Sequence, residues 1–105
     1  MERRLTTILA ADVVGYSRLM EQAEEATAAR LEACQELISR VASSGGGRVF
    51  SRAGDAALAE FASPINAIRS AVAIREEIAG QNFIDNGALK LRFGLHIADV
   101  VVSGD

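Results

Sequence analysis

Leu89-Lys90-Leu91-Arg92-Phe93-Gly94-Leu95-His96-Ile97-Ala98 alternates apolar residues with polar or small ones along its whole length. Period two marks a strand, because successive side chains leave a pleated backbone on opposite faces. Leu89, Leu91, Phe93, Leu95 and Ile97 make one face apolar, while Lys90, Arg92, Gly94, His96 and Ala98 make the other polar or small. A strand of this kind belongs to a sheet that carries helices on one side. Beyond it, Val100 to Val102 predicts a further strand after a turn near Asp99.

Working towards the N-terminus, Ser63-Pro64 opens a helix, since serine caps free amides and proline suits the first turn. Its predicted buried stripe is Ile65, Ile68, Ala71, Val72 and Ile78, with a stop at Gly80 and a polar loop through Asn82, Asp85, Asn86 and Gly87. Arg48 to Arg52 and Ala57 to Phe61 read as strands of a hairpin around Ala53-Gly54-Asp55-Ala56. Ahead of them, Ser17 to Ala42 is helical in pattern. Leu31, Cys34, Leu37, Ile38 and Val41 recur at steps of three and four, opposite Glu32, Glu36 and Arg40. A polar break from Glu21 to Glu25 sets Arg18 to Met20 apart as a short helix, and the acids suit the start of the next one. Ser43-Ser44-Gly45-Gly46-Gly47 ends the long helix. Leu5 to Ala11 is a buried strand that stops at Asp12. The order is that of an α+β, ferredoxin-like βαββαβ sandwich, an antiparallel sheet with helices on one face. That fold serves many functions and selects none of them.

Composition narrows the classes. The 105 residues bound a single domain, 1–105, and the 50% hydrophobic and 24% charged content excludes disorder. Eleven Lys and Arg against fourteen Asp and Glu leave a net charge of -3, which disfavours nonspecific nucleic-acid binding. An RNA-recognition sheet would need stacking aromatics in a basic, glycine-rich block; Phe50, Phe61 and Phe93 lack that setting. A single cysteine excludes a disulfide framework and a cysteine zinc site, and within its helical pattern Cys34 reads as a small buried hydrophobe. No apolar run approaches the ~18 residues that span a membrane. Thr6, Thr7 and Asp12 interrupt any signal-peptide core after Met1-Glu2-Arg3-Arg4, so the expected location is cytoplasmic.

Two carboxylates stand out by position: Asp12 ends the first strand and Asp55 sits at the hairpin tip. The strand order brings them to one end of the sheet. Paired carboxylates beside a turn rich in free amides suit a magnesium–phosphate site, since hard cations prefer oxygen ligands. Gly15 allows close backbone approach, and the helix start after it offers amide donors. From spacing alone, the plainer roles take precedence: helix cap for Asp12, turn former for Asp55. His96, with no second histidine, reads as structural or as part of an interface. Gly45-Gly46-Gly47 is not a phosphate loop of the Walker type, because no Gly-Lys-Ser/Thr follows.

The residues themselves shift that weighting. Leu9-Ala10-Ala11-Asp12-Val13-Val14-Gly15-Tyr16-Ser17 resembles the opening motif of class III adenylate and guanylate cyclase catalytic domains. Gly45-Gly46-Gly47-Arg48-Val49-Phe50 with Gly54-Asp55 and Glu60-Phe61 resembles the second motif. Arg92-Phe93-Gly94-Leu95-His96 and Asp99-Val100-Val101 resemble the block after it. The resemblance implies that Asp12 and Asp55, with the Val13 carbonyl, hold two divalent ions, Mg²⁺ or Mn²⁺. It implies that the backbone of Val14, Gly15, Tyr16 and Ser17 cradles the phosphates of ATP or GTP. The implied reaction is a two-metal in-line attack of the ribose 3′-hydroxyl on the α-phosphate, forming the cyclic nucleotide and releasing pyrophosphate. A homodimer or a cyclase-domain partner is implied as well, with adenylate type ahead of guanylate.

Three departures accompany the resemblance. Ser51 stands at the position of the family's purine-recognising lysine, and strand alternation predicts Arg48 and Arg52 on the face opposite Ser51. Ala56 and Ala98 stand where glycine is common. The family's transition-state Asn and Arg are expected beyond Asp105, so the chain matches the N-terminal portion of the domain and no catalytic residue is assigned within it. The expectation is a metal-binding half-site, inactive by itself. The alternative is a degenerate, non-catalytic cyclase-like module that dimerises or regulates a partner.

Overall fold

Strand β1 (Glu2–Val13) extends well beyond its apolar run and pairs antiparallel with a strand on each side. A computed structural model describes residues 2–81 and 89–102 of the chain. In chain order, β1 is followed by α1 (Tyr16–Gln22), α2 (Glu24–Ser44), β2 (Gly47–Ala53), β3 (Ala56–Phe61), α3 (Pro64–Gln81) and β4 (Leu91–Val102). The sheet order is β2-β3-β1-β4, antiparallel throughout, which is the predicted ferredoxin-like arrangement.

The core lies between the sheet and the two long helices. Thr7, Leu9, Ala11 and Val13 of β1 and Ala57, Ala59 and Phe61 of β3 are buried on one face. Leu31, Cys34, Leu37, Ile38 and Val41 of α2 cover them, in the predicted stripe. Burial pushes the Cys34 thiol up to about 11, so it remains protonated and inert at neutral pH. The break between α1 and α2 falls at Ala23, whose backbone is extended (φ -156°). Thr27 closes this corner: its Oγ1 donates to the Leu19 carbonyl at 3.0 Å. Ser63 caps α3 as predicted, its Oγ accepting the Asn66 N–H at 3.3 Å.

Several core assignments change. On α3 the buried row is Ala67, Ser70, Ile74 and Ile78, while Ile65 and Ile68 are 59% and 49% exposed and Val72 is exposed too. The helix carries apolar residues on two sides, and periodicity cannot choose between them. Close packing does, because Ser70 lies so near Gly45 at the end of α2 that a side chain on Gly45 would collide with it. The left-handed residue that follows α2 is Gly46 (φ +82°), within the glycine run predicted to end the helix, while Gly45 has φ -90°.

On β4, Leu95 and Ile97 occupy the helix-side face opposite Leu9 and Thr7, yet remain 47% and 60% exposed. Among the described residues no helix reaches over them. No turn interrupts β4 at Asp99, which pairs in register with Leu5 and accepts a hydrogen bond from Arg3. The strand and the predicted Val100–Val102 segment are therefore one element. The polar loop through Asn82, Asp85, Asn86 and Gly87 lies outside the described residues. No helix among the described residues is long and apolar enough to cross a membrane.

Three substitutions test this packing. Gly47 faces the Phe61 ring so closely that a Cβ would overlap it, whereas Gly80 on α3 has open space. Gly47→Ala should lower stability by about 1–3 kcal/mol in urea unfolding, and Gly80→Ala should raise it by about 0.5–1 kcal/mol. Cys34 ionises less readily folded than unfolded, where its thiol has its ordinary value of 9.0. The unfolded chain therefore releases its proton first, and stability falls as pH rises from 9 towards 11. Cys34→Ala should flatten that part of the stability–pH curve.

Candidate functional site

Asp12 and Asp55 come together at one end of the sheet because β1 and β3 run antiparallel, with Ala11 opposite Ala57 just before the hairpin turn. The Asp55 carboxylate reaches across that turn, and its Oδ2 accepts the Val13 backbone N–H at 2.9 Å. Asp55 is thus more than a turn former, since it fixes the end of β1. Asp12 does not cap a helix: the N-cap of α1 is Gly15, in the left-handed region (φ 67°), with no side-chain cap. Neither plain role accounts for Asp12.

What Asp12 does contact is Arg92. The two are register partners across β1 and β4. Arg92 Nε donates to Asp12 Oδ1 at 3.0 Å and Nη2 donates to Oδ2 at 3.3 Å, a bidentate pair with side chains 69% and 38% exposed. The guanidinium is held above its ordinary value, chiefly by the hydrogen bond and charge of Asp12, with a smaller contribution from Asp55. Arg92 therefore senses both carboxylates. Sequence reading did not single it out; the polar face of the alternating strand places it on the Asp12 side, but only the β1–β4 register makes them partners.

The segment after β1 is only partly free to donate. The Val14 N–H is already taken by the Lys90 carbonyl at 2.9 Å, so it is not available to a phosphate. The amides of Tyr16 and Ser17 open α1, where helix geometry leaves the first N–H groups without intrahelical acceptors. Gly15 has the Arg18 guanidinium close by, 3.3 Å from where a Cβ would stand.

The surroundings of Ser51 differ from the expectation. A β-bulge between Val49 and Ser51 shifts the register of β2, so Arg48 pairs with Glu60 and Ser51 with Leu58. Arg48 and Ser51 therefore share the open face of the sheet, contrary to simple alternation. Arg48 is engaged there by Glu60, Nη2 to Oε1 at 2.9 Å. Arg52 does point to the helix side, where its Nη2 donates to Ser39 Oγ at 2.6 Å. His96 lies exposed opposite Ile8 on the open face.

For a cation, the site supplies two hard carboxylates and nearby main-chain oxygens. No group of three His, Cys, Asp or Glu side chains able to hold a metal occurs among the described residues. That donor set fits magnesium chemistry, in which one or two carboxylates are completed by waters and substrate phosphates.

No protein-family model matches the chain. A protein of Rhizobium meliloti (strain 1021) named "Putative adenylate cyclase 3" is 42% identical over an alignment 105 positions long that covers 97% of this chain and 18% of that protein. The solved adenylate/guanylate cyclase/hydrolase from Silicibacter pomeroyi superposes with a TM-score of 0.83 at 35% identity, over 99% of this chain and 63% of that one. The guanylate cyclase domain of RhGC from Catenaria anguillulae, solved in complex with GTP, superposes with a TM-score of 0.82 at 20% identity, over 100% of this chain and 64% of that one. The chain thus has the fold of solved cyclase domains and spans less than two thirds of each of these proteins.

The Asp55–Val13 contact makes its own prediction. Asp55→Ala removes the acceptor of a half-buried backbone N–H and should cost about 1.5–3 kcal/mol in urea unfolding. Asp55→Asn keeps an oxygen in place and should cost clearly less.

Proposed function

We propose that this chain forms the metal-binding half of a class III nucleotidyl cyclase centre, adenylate type ahead of guanylate. The observation that carries the reading is the meeting of Asp12 and Asp55 at the end of β1, on a fold shared with solved cyclase domains. The chain is read as the N-terminal portion of such a domain, working in the cytoplasm as part of a homodimer or with a cyclase-domain partner.

Asp12, Asp55 and the Val13 carbonyl would hold two Mg²⁺ or Mn²⁺ ions. These ions supply Lewis-acid charge that lowers the pKa of a bound hydroxyl and neutralises phosphate oxygens. Asp55 presents its carboxylate from a hairpin tip anchored on the Val13 N–H, so a ligand need not organise that tip on arrival. The amides of Gly15, Tyr16 and Ser17 would receive phosphate oxygens. In the overall reaction the ribose 3′-oxygen bonds to the α-phosphorus and loses its proton. The bond from that phosphorus to the bridging oxygen breaks, and pyrophosphate leaves. The groups that stabilise the charge developing on the transferred phosphoryl would come from outside these residues, so the 105-residue chain should not turn over alone.

A second reading follows from Ser51. It places no cation on the open face at the purine position, and Arg48 on that face is engaged by Glu60. A non-catalytic cyclase-like module that dimerises or regulates a partner would carry this pair of features.

Calorimetric titration with Mn²⁺-ATP separates the two. The catalytic half-site predicts binding by the parent chain that weakens at least about ten-fold in Asp12→Asn and in Asp55→Asn, each of which removes a ligand charge. No binding by the parent favours the regulatory module. Robust cyclic AMP formation by the chain alone would overturn the half-site reading.

A further inference from the structure

We propose that Arg92 is a built-in counter-ion of the candidate cation site: it holds the Asp12 carboxylate while no divalent ion is bound, and ion entry requires its release. The inference rests on the cation reading above and adds a positioning residue to it.

The geometry is specific. Arg92 uses both Nε and Nη2, and together they cover both oxygens of Asp12. A magnesium ion binds carboxylate oxygen at about 2.0–2.1 Å and demands lone pairs in a near-octahedral arrangement. The guanidinium hydrogens take one lone pair on each oxygen and narrow the approach left to an ion, and two cations at one carboxylate repel each other. Arg92 and the ion therefore exchange at Asp12; they do not share it.

The backbone makes this exchange a side-chain event. Asp12 and Arg92 are fixed opposite each other by the β1–β4 ladder, and the Val14 N–H bond to the Lys90 carbonyl continues the strand contact past them. Releasing Arg92 needs only rotation of an exposed side chain. Asp55 is anchored differently, through the Val13 amide. One carboxylate is thus held by the main chain and the other by a cation that can leave.

The device also has a use. Two carboxylates brought together without metal repel each other, and a removable positive charge offsets that repulsion until a divalent ion arrives. The site then remains assembled when empty, and the affinity for metal is lowered by the contact that must be broken.

The test is a Mg²⁺ titration of the full chain followed by the NMR resonance of the Arg92 Nε–H, with parallel Mn²⁺ titrations of the parent and Arg92→Gln. The proposal predicts that the Nε–H resonance moves to its free, fast-exchanging position over the concentration range in which Mg²⁺ binds. It predicts that Arg92→Gln binds Mn²⁺ about two- to five-fold tighter, the range expected for loss of an exposed ion pair. Circular dichroism checks that the variant is folded, and Arg92→Lys, which keeps the charge but not the two-point contact, should fall between Arg92→Gln and the parent. Ion binding with the Arg92 resonance unmoved, or equal or weaker binding by Arg92→Gln, overturns the counter-ion role and leaves the cation reading standing. Absence of binding in both the parent and Arg92→Gln removes the cation reading and this inference with it.

Discussion

Strand β1 is hydrogen-bonded along both edges, to β3 on one side and β4 on the other, while its helix-side residues lie beneath the long helices. A large apolar side chain buried there, such as Leu9, contributes about 1.5–3 kcal/mol. The burial also fixes the register, because a slip of one residue would turn Leu9, Ala11 and Val13 out and bring Asp12 into the core. The position of Asp12 therefore follows from the burial of its neighbours. Val13 couples the two demands in one residue: its side chain is buried and its N–H holds Asp55. A functional end and a packed middle are built on the same strand.

The charges at that end are arranged with an asymmetry. Asp55 is tied to the main chain, a fixed dipole with no net charge, and Asp12 is tied to an exposed guanidinium. An exposed ion pair such as Asp12–Arg92 adds little to stability, because water screens it and ordering two side chains costs entropy. Its importance lies in what it occupies. The carboxylate that the main chain organises is the rigid one, and the carboxylate that a side chain organises is the one whose partner can change.

Periodicity made most of the fold legible. The Leu31-to-Val41 stripe, the Ser63 cap, the hairpin turn at Gly54 and the alternation of β4 each report a local constraint, and each matches its element. What local pattern could not report was cover. Leu95 and Ile97 lie on the apolar face their alternation assigns, yet burial depends on whether another element lies above them, and a strand does not encode that. The α3 stripe misled for a related reason, since Ile65, Ile68 and Val72 are as periodic as the row that packs, and only the close fit of Ser70 against Gly45 decides between them. Of the candidate site, the pair Asp12 and Asp55 was legible from strand order. Arg92 was not, because a cross-strand partner is a property of register, and neither was the prior commitment of the Val14 amide to Lys90.

The bulge in β2 shows how one extra residue redistributes function across a face. Without it, Arg48 and Arg52 would share the helix side, and Val49 would be turned out beside Ser51 on the open side. With it, Arg52 secures α2 through Ser39, while Arg48 crosses to the open face and is neutralised by Glu60. The open face then carries a paired charge at Arg48–Glu60 and another at Asp12–Arg92, separated by the small residues Ala10 and Gly94, which face each other in register. Arg48 reaches that face already paired with Glu60, and Ser51 beside it offers a hydroxyl that can donate and accept but brings no charge.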